Sequence, residues 1–246
     1  MTTEQPPRPL RVLLLQAREH HREIEFEQSA FDAALQGESL YPLSINLVEH
    51  PAGLPLPTEA QAVIIAGSPF SVASPVEGFT ALRRLLDRMR RDKTPIFGIC
   101  FGAQFIADHF GGSVAIGADC WEEGTTRVRK IPDVTHPIWS DLPHAFDVQQ
   151  SHDDHIAELP IGAVVLAENE RCPIQAFSFE DGRFIGTQFH PERTPEWYDA
   201  VLRSPHGLPP EKVARYCDYT YTMRPSPEAH SLLRRFIAYA RSVAPR

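Results

Sequence analysis

A cysteine held between two glycines carries the chemistry that can be read first in this sequence. In Pro95-Ile-Phe-Gly-Ile-Cys-Phe-Gly-Ala-Gln104, Gly98 and Gly102 stand two positions before and two after Cys100. The residues ahead of it read as a short buried strand, and those behind it as a helix. A sharp strand-to-helix turn needs this spacing, because larger side chains would collide with the strained backbone of the nucleophile. Such a turn lifts the thiol above the sheet and sets it at a helix N-terminus. There the positive end of the helix dipole is expected to favour thiolate, the reactive form of cysteine. Ninety residues on, Gly186-Thr-Gln-Phe-His-Pro-Glu192 offers His190 as a general base and Glu192 as the group that orients it. Their spacing puts both side chains on one side of an extended chain, and Pro191 restricts His190 to extended geometry. Cysteine, histidine and carboxylate together form the set that nucleophilic acyl transfer uses. The expectation is spatial: sulfur and imidazole must meet within hydrogen-bonding reach.

Alternating strands and helices must position these groups. Leu10 to Leu15 is a near-continuous apolar run, as in a parallel strand covered on both faces. The pattern predicts a helix over 23–36, strands over 43–48 and 62–66, and a helix over 79–91 with Leu82, Leu85, Leu86 and Met89 on one stripe. A strand over 95–99 leads into the cysteine turn and a helix that Gly111 and Gly112 stop. This order implies an α/β fold with a mainly parallel central sheet and helices on both faces. After residue 112 short β-rich runs follow, over 113–116, 125–131, 146–150, 163–167, 174–179 and 183–189. They form a smaller antiparallel portion, since the segments between them are too short for helical crossovers. C-terminal helices are predicted over Pro195 to Arg203, Pro210 to Tyr219 and Pro227 to Arg241, each opened by a proline. The expected division is a disordered lead-in over 1–9, a core domain over 10–192, and a helical extension over 193–246 packed on the same domain.

The chain has 246 residues and a net charge of −8, which argues against nucleic acid or an anionic membrane as partner. Arg83, Arg84, Arg88, Arg90, Arg91 and Lys93 read as the wet face of one helix. Residues 1–9 lack the apolar core of a signal peptide, and no run approaches spanning length, so a cytoplasmic protein is expected. The four cysteines, Cys100, Cys120, Cys172 and Cys217, show no metal spacing and read as free thiols. His152 and His155 beside Asp153 and Asp154 bring no cysteine with them, and neither metal nor cofactor is expected. The C-terminal extension has three readings: packing on the sheet, capping the site mouth, or forming a homodimer surface.

Gly98-x-Cys100-x-Gly102-x-Gln104 followed by His190-x-Glu192 resembles a class I (triad) glutamine amidotransferase domain, GMP-synthase-like branch, over roughly residues 10–192. The resemblance implies a flavodoxin-like fold. It also implies hydrolysis of glutamine to glutamate and ammonia through a γ-glutamyl thioester, with Cys100, His190 and Glu192 as the triad. The backbone N–H of Phe101 would be one oxyanion donor. Ile64-Ile-Ala-Gly-Ser-Pro-Phe-Ser-Val72 resembles the family's Gly-Gly-Pro oxyanion loop, with Gly67 kept and Ser68 in place of the second glycine. Ser68 would supply the second donor if its backbone can take a conformation that glycine adopts easily. Gln104 corresponds to a substrate-binding position. Ser151-His152 with Asp154 resembles a Ser-His-Gly-Asp segment, Asp153 standing for the glycine. Glu122 with Gly124 resembles a Glu-x-Gly segment whose carboxylate would attract the substrate ammonium. The substrate implied is glutamine or another γ-glutamyl compound, with a separate synthase or acceptor protein as partner. Two alternatives share these residues: a γ-glutamyl peptide or conjugate hydrolase, and a non-catalytic regulator, for which Ser68 is the one supporting feature.

Overall fold

The computed structural model describes residues 9–51, 57, 59–203 and 223–243. The lead-in expected over 1–9 (but for Pro9) and the helix expected over Pro210 to Tyr219 lie outside the described residues. Five parallel strands form one half of a nine-stranded sheet: β1 (Leu10–Gln16), β2 (Leu40–Asn46), β3 (Ala62–Ile65), β4 (Ile96–Ile99) and β11 (Phe184–Thr187). The other half is antiparallel and built from β6 (Glu122–Lys130), β7 (Ala145–His152), β9 (Ala163–Glu168) and β10 (Ala176–Phe179). The full order is β2-β1-β3-β4-β11-β10-β9-β6-β7. The antiparallel portion therefore continues the main sheet. Among the described residues, only β5 (Ser113–Ala115) and β8 (His155–Glu158) pair apart from it. The sequence pattern missed β8, whose His155-Ile-Ala-Glu158 offers a single large apolar side chain.

Strand alternation divides the core into two layers. Leu10, Val12 and Leu14 of β1 face helices α1 (His21–Ala34) and α5 (Pro227–Val243), where Phe31, Leu233 and Phe236 pack. Leu13 and Leu15 face the opposite way, toward α2 (Gly78–Asp92) and α3 (Phe101–His109), against Leu82, Leu86 and Phe105. Helices on both faces follow, as the apolar run of β1 required. A further helix, α4 (Pro195–Arg203), comes between β11 and α5 in the chain.

Because β1, β3, β4 and β11 run the same way, the loops that leave them emerge at one end of the sheet. Arg18, Gly67, Cys100 and His190 each follow one of these strands. This is the end where open α/β sheets place their ligands.

Candidate active site

Cys100 occupies the turn between β4 and α3 with φ 50° and ψ −107°. A side-chain-bearing residue rarely adopts a positive φ, and such strain gathers at functional turns. The flanking glycines let it persist. A Cβ at Gly98 would sit 2.7 Å from the Ala103 nitrogen, and one at Gly102 only 2.2 Å from the Ile65 carbonyl oxygen. The Cys100 N–H donates to Thr187 O at 2.7 Å and its carbonyl accepts from Gln104 at 3.0 Å, fastening the turn to β11 and α3. Sγ accepts from the Phe101 N–H and from Gln188 Nε2 at 3.6 Å. The thiolate expected from the helix end is not the resting form. Burial pushes the thiol up to about 12, outweighing the downward pull of Arg193, the Phe101 N–H and Arg18.

His190 Nδ1 donates to Glu192 Oε1 at 2.7 Å. Burial and the Arg193 charge drive the imidazole down to about 4, against the pull of Glu192. Burial raises the Glu192 carboxyl, but the charge and hydrogen bond of His190 and the charge of Arg193 outweigh it, leaving it below the usual carboxylate range. The pair at rest is a carboxylate and a neutral imidazole with its proton on Nδ1, so Nε2 presents a lone pair. That atom is buried and has no hydrogen-bond partner among the described residues. Sulfur and imidazole thus do not share the hydrogen bond expected from sequence, although they close on one point. A Cβ at Gly67 would lie 2.6 Å from His190 Cε1 and 3.6 Å from Cys100 Cβ.

Distant segments hold the histidine. Its N–H donates to Gln149 O of β7 at 2.8 Å. The Gln149 side chain in turn donates to Arg224 O at 2.7 Å and Ser226 Oγ at 3.1 Å. His230 of α5 donates from Nδ1 to Pro191 O at 2.9 Å. Arg193 places Nε 3.3 Å from Glu192 Oε1 and donates from Nη1 to Tyr198 of α4 at 3.0 Å. Sequence reasoning assigned no role to Gln149, Arg193 or His230, and nothing local marks them. Gln188 had a signal, since it stands two residues before His190 and strand alternation turns both to one side.

Cys100 and His190 line one cavity of about 380 Å³, together with Ser68, Gln104, Ser151 and His152. Ser68 Oγ donates to Ala17 O at 2.9 Å and accepts from the Phe70 N–H at 3.0 Å. Neither Ser68 nor Gly67 has a positive φ. The loop therefore asks glycine of Gly67 for space and does not ask it of the next position. Arg18 Nη2 donates to Gly67 O at 3.3 Å, which orients the peptide plane shared with the Ser68 N–H. Gln104 Nε2 donates to Asp154 O at 2.8 Å and Gln188 Oε1 at 3.2 Å. Glu122 is placed differently from expectation. It is buried behind His152 and is not a cavity-lining residue. Its oxygens accept from Asn169 Nδ2 at 2.6 Å, from Gln175, and from Gln150 Nε2 at 3.4 Å, with His152 Nε2 at 3.3 Å. Ligand atoms of Glu122, His152 and Cys172 lie within 4.8 Å of one another, but these amide donors already occupy the carboxylate.

Fold and site define an α/β protein that gathers a cysteine, a histidine and a carboxylate at the ends of parallel strands. Residues 34–203, more than half of the chain, match the family described as glutamine amidotransferase class-I, and the chain belongs to that family. It is 41% identical over 138 residues to a GMP synthase [glutamine-hydrolyzing] of Xylella fastidiosa, a match covering 55% of this chain and 25% of that protein. It is 42% identical over 101 residues to the GMP synthase [glutamine-hydrolyzing] of Neisseria meningitidis, covering 41% and 19%. The chain thus spans about a quarter or less of the length of these relatives. Its fold is similar to that of a glutamine amidotransferase from Thermotoga maritima, with TM-score 0.73 and 20% identity over 95% of this chain and 99% of that one. A glutamine amido transferase from Methylobacillus flagellatus gives TM-score 0.67 and 19% identity, covering 95% of each chain. Among the described residues no helix is long and apolar enough to cross a membrane.

Proposed function

We propose that this chain hydrolyses the γ-carboxamide of glutamine through a thioester on Cys100. The observation that carries this is the buried His190–Glu192 pair, bonded at 2.7 Å, with no partner for Nε2 among the described residues, the histidine lining the same cavity as a cysteine at a strained turn. The resting thiol is protonated, so His190 takes its proton as sulfur attacks. This step requires the Sγ–Nε2 contact to tighten once substrate is bound, as catalytic hydrogen bonds commonly do. The C–N bond then breaks, and His190 returns the proton to the leaving ammonia. Water, activated by the same imidazole, cleaves the γ-glutamyl thioester. Glu192 holds the tautomer and balances the imidazolium that forms in passing. The oxyanion is met by the N–H groups of Phe101 and Ser68, each contributing about 3 kcal/mol to lowering the barrier. Gln104, Ser151 and His152 face the amino-acid end of the substrate. Glu122 acts there only through His152. The released ammonia passes to a separate synthase or acceptor protein in the cytoplasm.

The test is ammonia release from glutamine, combined with mass spectrometry after exposure to a glutamine-mimetic diazo-ketone. The expected result is turnover together with a single adduct at Cys100, both lost in Cys100→Ser. A folded protein that releases no ammonia and forms no adduct would overturn the proposal in favour of a regulatory role.

A further inference from the structure

Two amide donors meet the sulfur of Cys100. Sγ accepts from the Phe101 N–H and from Gln188 Nε2 at 3.6 Å, and the thiol donates to Ser151 O at 3.9 Å. A chain of bonds fixes which end of the Gln188 amide faces sulfur. Asp154 O is a carbonyl and only accepts, so Gln104 turns its Nε2 toward it, at 2.8 Å. The same nitrogen stands 3.2 Å from the Gln188 amide, which must answer with its oxygen. The NH2 group is what remains for sulfur. Gln188 and Gln104 are both buried, and the Gln188 backbone N–H is tied to Gln175 O at 2.8 Å. Gln104 lines the cavity and Gln188 does not, so substrate does not compete for this donor.

A neutral thiol is a weak acceptor, so these N–H groups gain little at rest. They gain far more once sulfur is charged, because a hydrogen bond to an ionised acceptor is roughly twice as strong as a neutral one. In the acyl-transfer reading above, on which this inference rests, charge appears on sulfur twice. It appears when His190 takes the thiol proton as attack begins, and again when the C–S bond breaks and sulfur leaves with the electron pair. At both moments the carbonyl oxygen is also charged, and the Phe101 N–H is turned to it. One N–H cannot serve both atoms. Arg193 and Arg18 favour the thiolate through space, and Glu192 opposes it. We infer that Gln188 is a further catalytic residue, whose Nε2 steadies the negative sulfur of Cys100 as the thiolate forms and as it is expelled from the thioester. Between those moments sulfur is bonded to carbon and carries no charge, so the contact is strong only where the barrier lies. The protons travel as before. His190 passes the thiol proton to ammonia, then takes one from water and returns it to sulfur, while Gln188 keeps its own.

Removing the amide has two conceivable effects, and they differ in sign at the sulfur. Lost packing alone would admit water, ease ionisation and speed alkylation of Cys100. A lost donor slows it. The full-length wild type and Gln188→Met are therefore treated with iodoacetamide between pH 7 and 9. Peptide mass spectrometry follows Cys100 apart from the other cysteines, and both proteins are assayed for ammonia release from glutamine. One lost bond to charged sulfur is expected to cut the thiolate fraction about tenfold. Alkylation should then slow about threefold at each pH, because a less acidic thiol is the better nucleophile once ionised, and kcat should fall about tenfold. Gln188→Glu keeps the oxygen that Gln104 needs and sets a carboxylate against sulfur. At pH 9 it should be alkylated more slowly still, and it carries the test should the methionine variant not fold. Alkylation of Cys100 at or above the wild-type rate overturns the inference, even where the wild type releases ammonia. Slower alkylation in a protein whose wild type releases no ammonia leaves the sulfur donor standing and removes the acyl-transfer reading instead.

Discussion

Cys100 and His190 reach the same cavity by opposite means. The cysteine arm is local. A strand, a strained turn and a helix follow one another within residues 96–109, and two glycines make room for them. The histidine arm is assembled from a distance. His190 leaves β11, yet its N–H is taken by Gln149 of β7, four strands away in the sheet order. The antiparallel half therefore curls back over the strand ends, which also brings Ser151 and His152 to the cavity. Pro191 is held by His230 of α5, and Arg193 by Tyr198 of α4. Backbone strain, a local property, sets the nucleophile. A carbonyl from one element and a side chain from another set the base. An error in the glycines that frame the first arm should show in stability as much as in activity, and an error in the second arm chiefly in activity.

Four experiments can break or sharpen this contrast. The largest effect is expected from Cys100→Ser, with turnover falling by on the order of 10⁴-fold or more while the thermal midpoint changes little, because a nucleophile acts as a unit with its base. Steady-state ammonia release and calorimetry check both halves. Gly67→Ala comes next. Its methyl would meet the imidazole at 2.6 Å, so activity should fall about 100-fold from displacement of the base, with the melting curve nearly preserved. Gly102→Ala gives the reverse balance. Its methyl would drive into the Ile65 carbonyl at 2.2 Å, and denaturant unfolding should show a loss of about 1–3 kcal/mol. The smallest effect is that of His230→Ala, which removes one remote bond to the histidine arm. A fall in kcat of about tenfold with KM unchanged is expected; an unchanged kcat would show that α5 lends the base no support.

The same contrast predicts a pH dependence. His190 is held neutral, its pKa lowered from about 6.5 to about 4 by burial. As pH falls from about 6.5 toward 4, the unfolded chain binds a proton that the folded one refuses, so stability is lost across that window. Denaturant midpoints measured from pH 7 to 4 should fall, and should fall less in His190→Gln.

What lay open in the amino-acid order was whatever depends on near neighbours. The apolar run of β1, the helix over 79–91, the strand, turn and helix around Cys100, and the glycines beside it are matters of period and steric clearance within a few residues. The His190-Pro-Glu192 spacing is of the same kind. Only the tertiary structure decided how the antiparallel strands join the sheet, that Glu122 stands behind His152, and that Gln149 and His230 carry the histidine. It also reversed the ionisation expected of Cys100. A helix end acts through neighbours in sequence, but desolvation sums over everything packed around the sulfur, and most of that comes from remote parts of the chain.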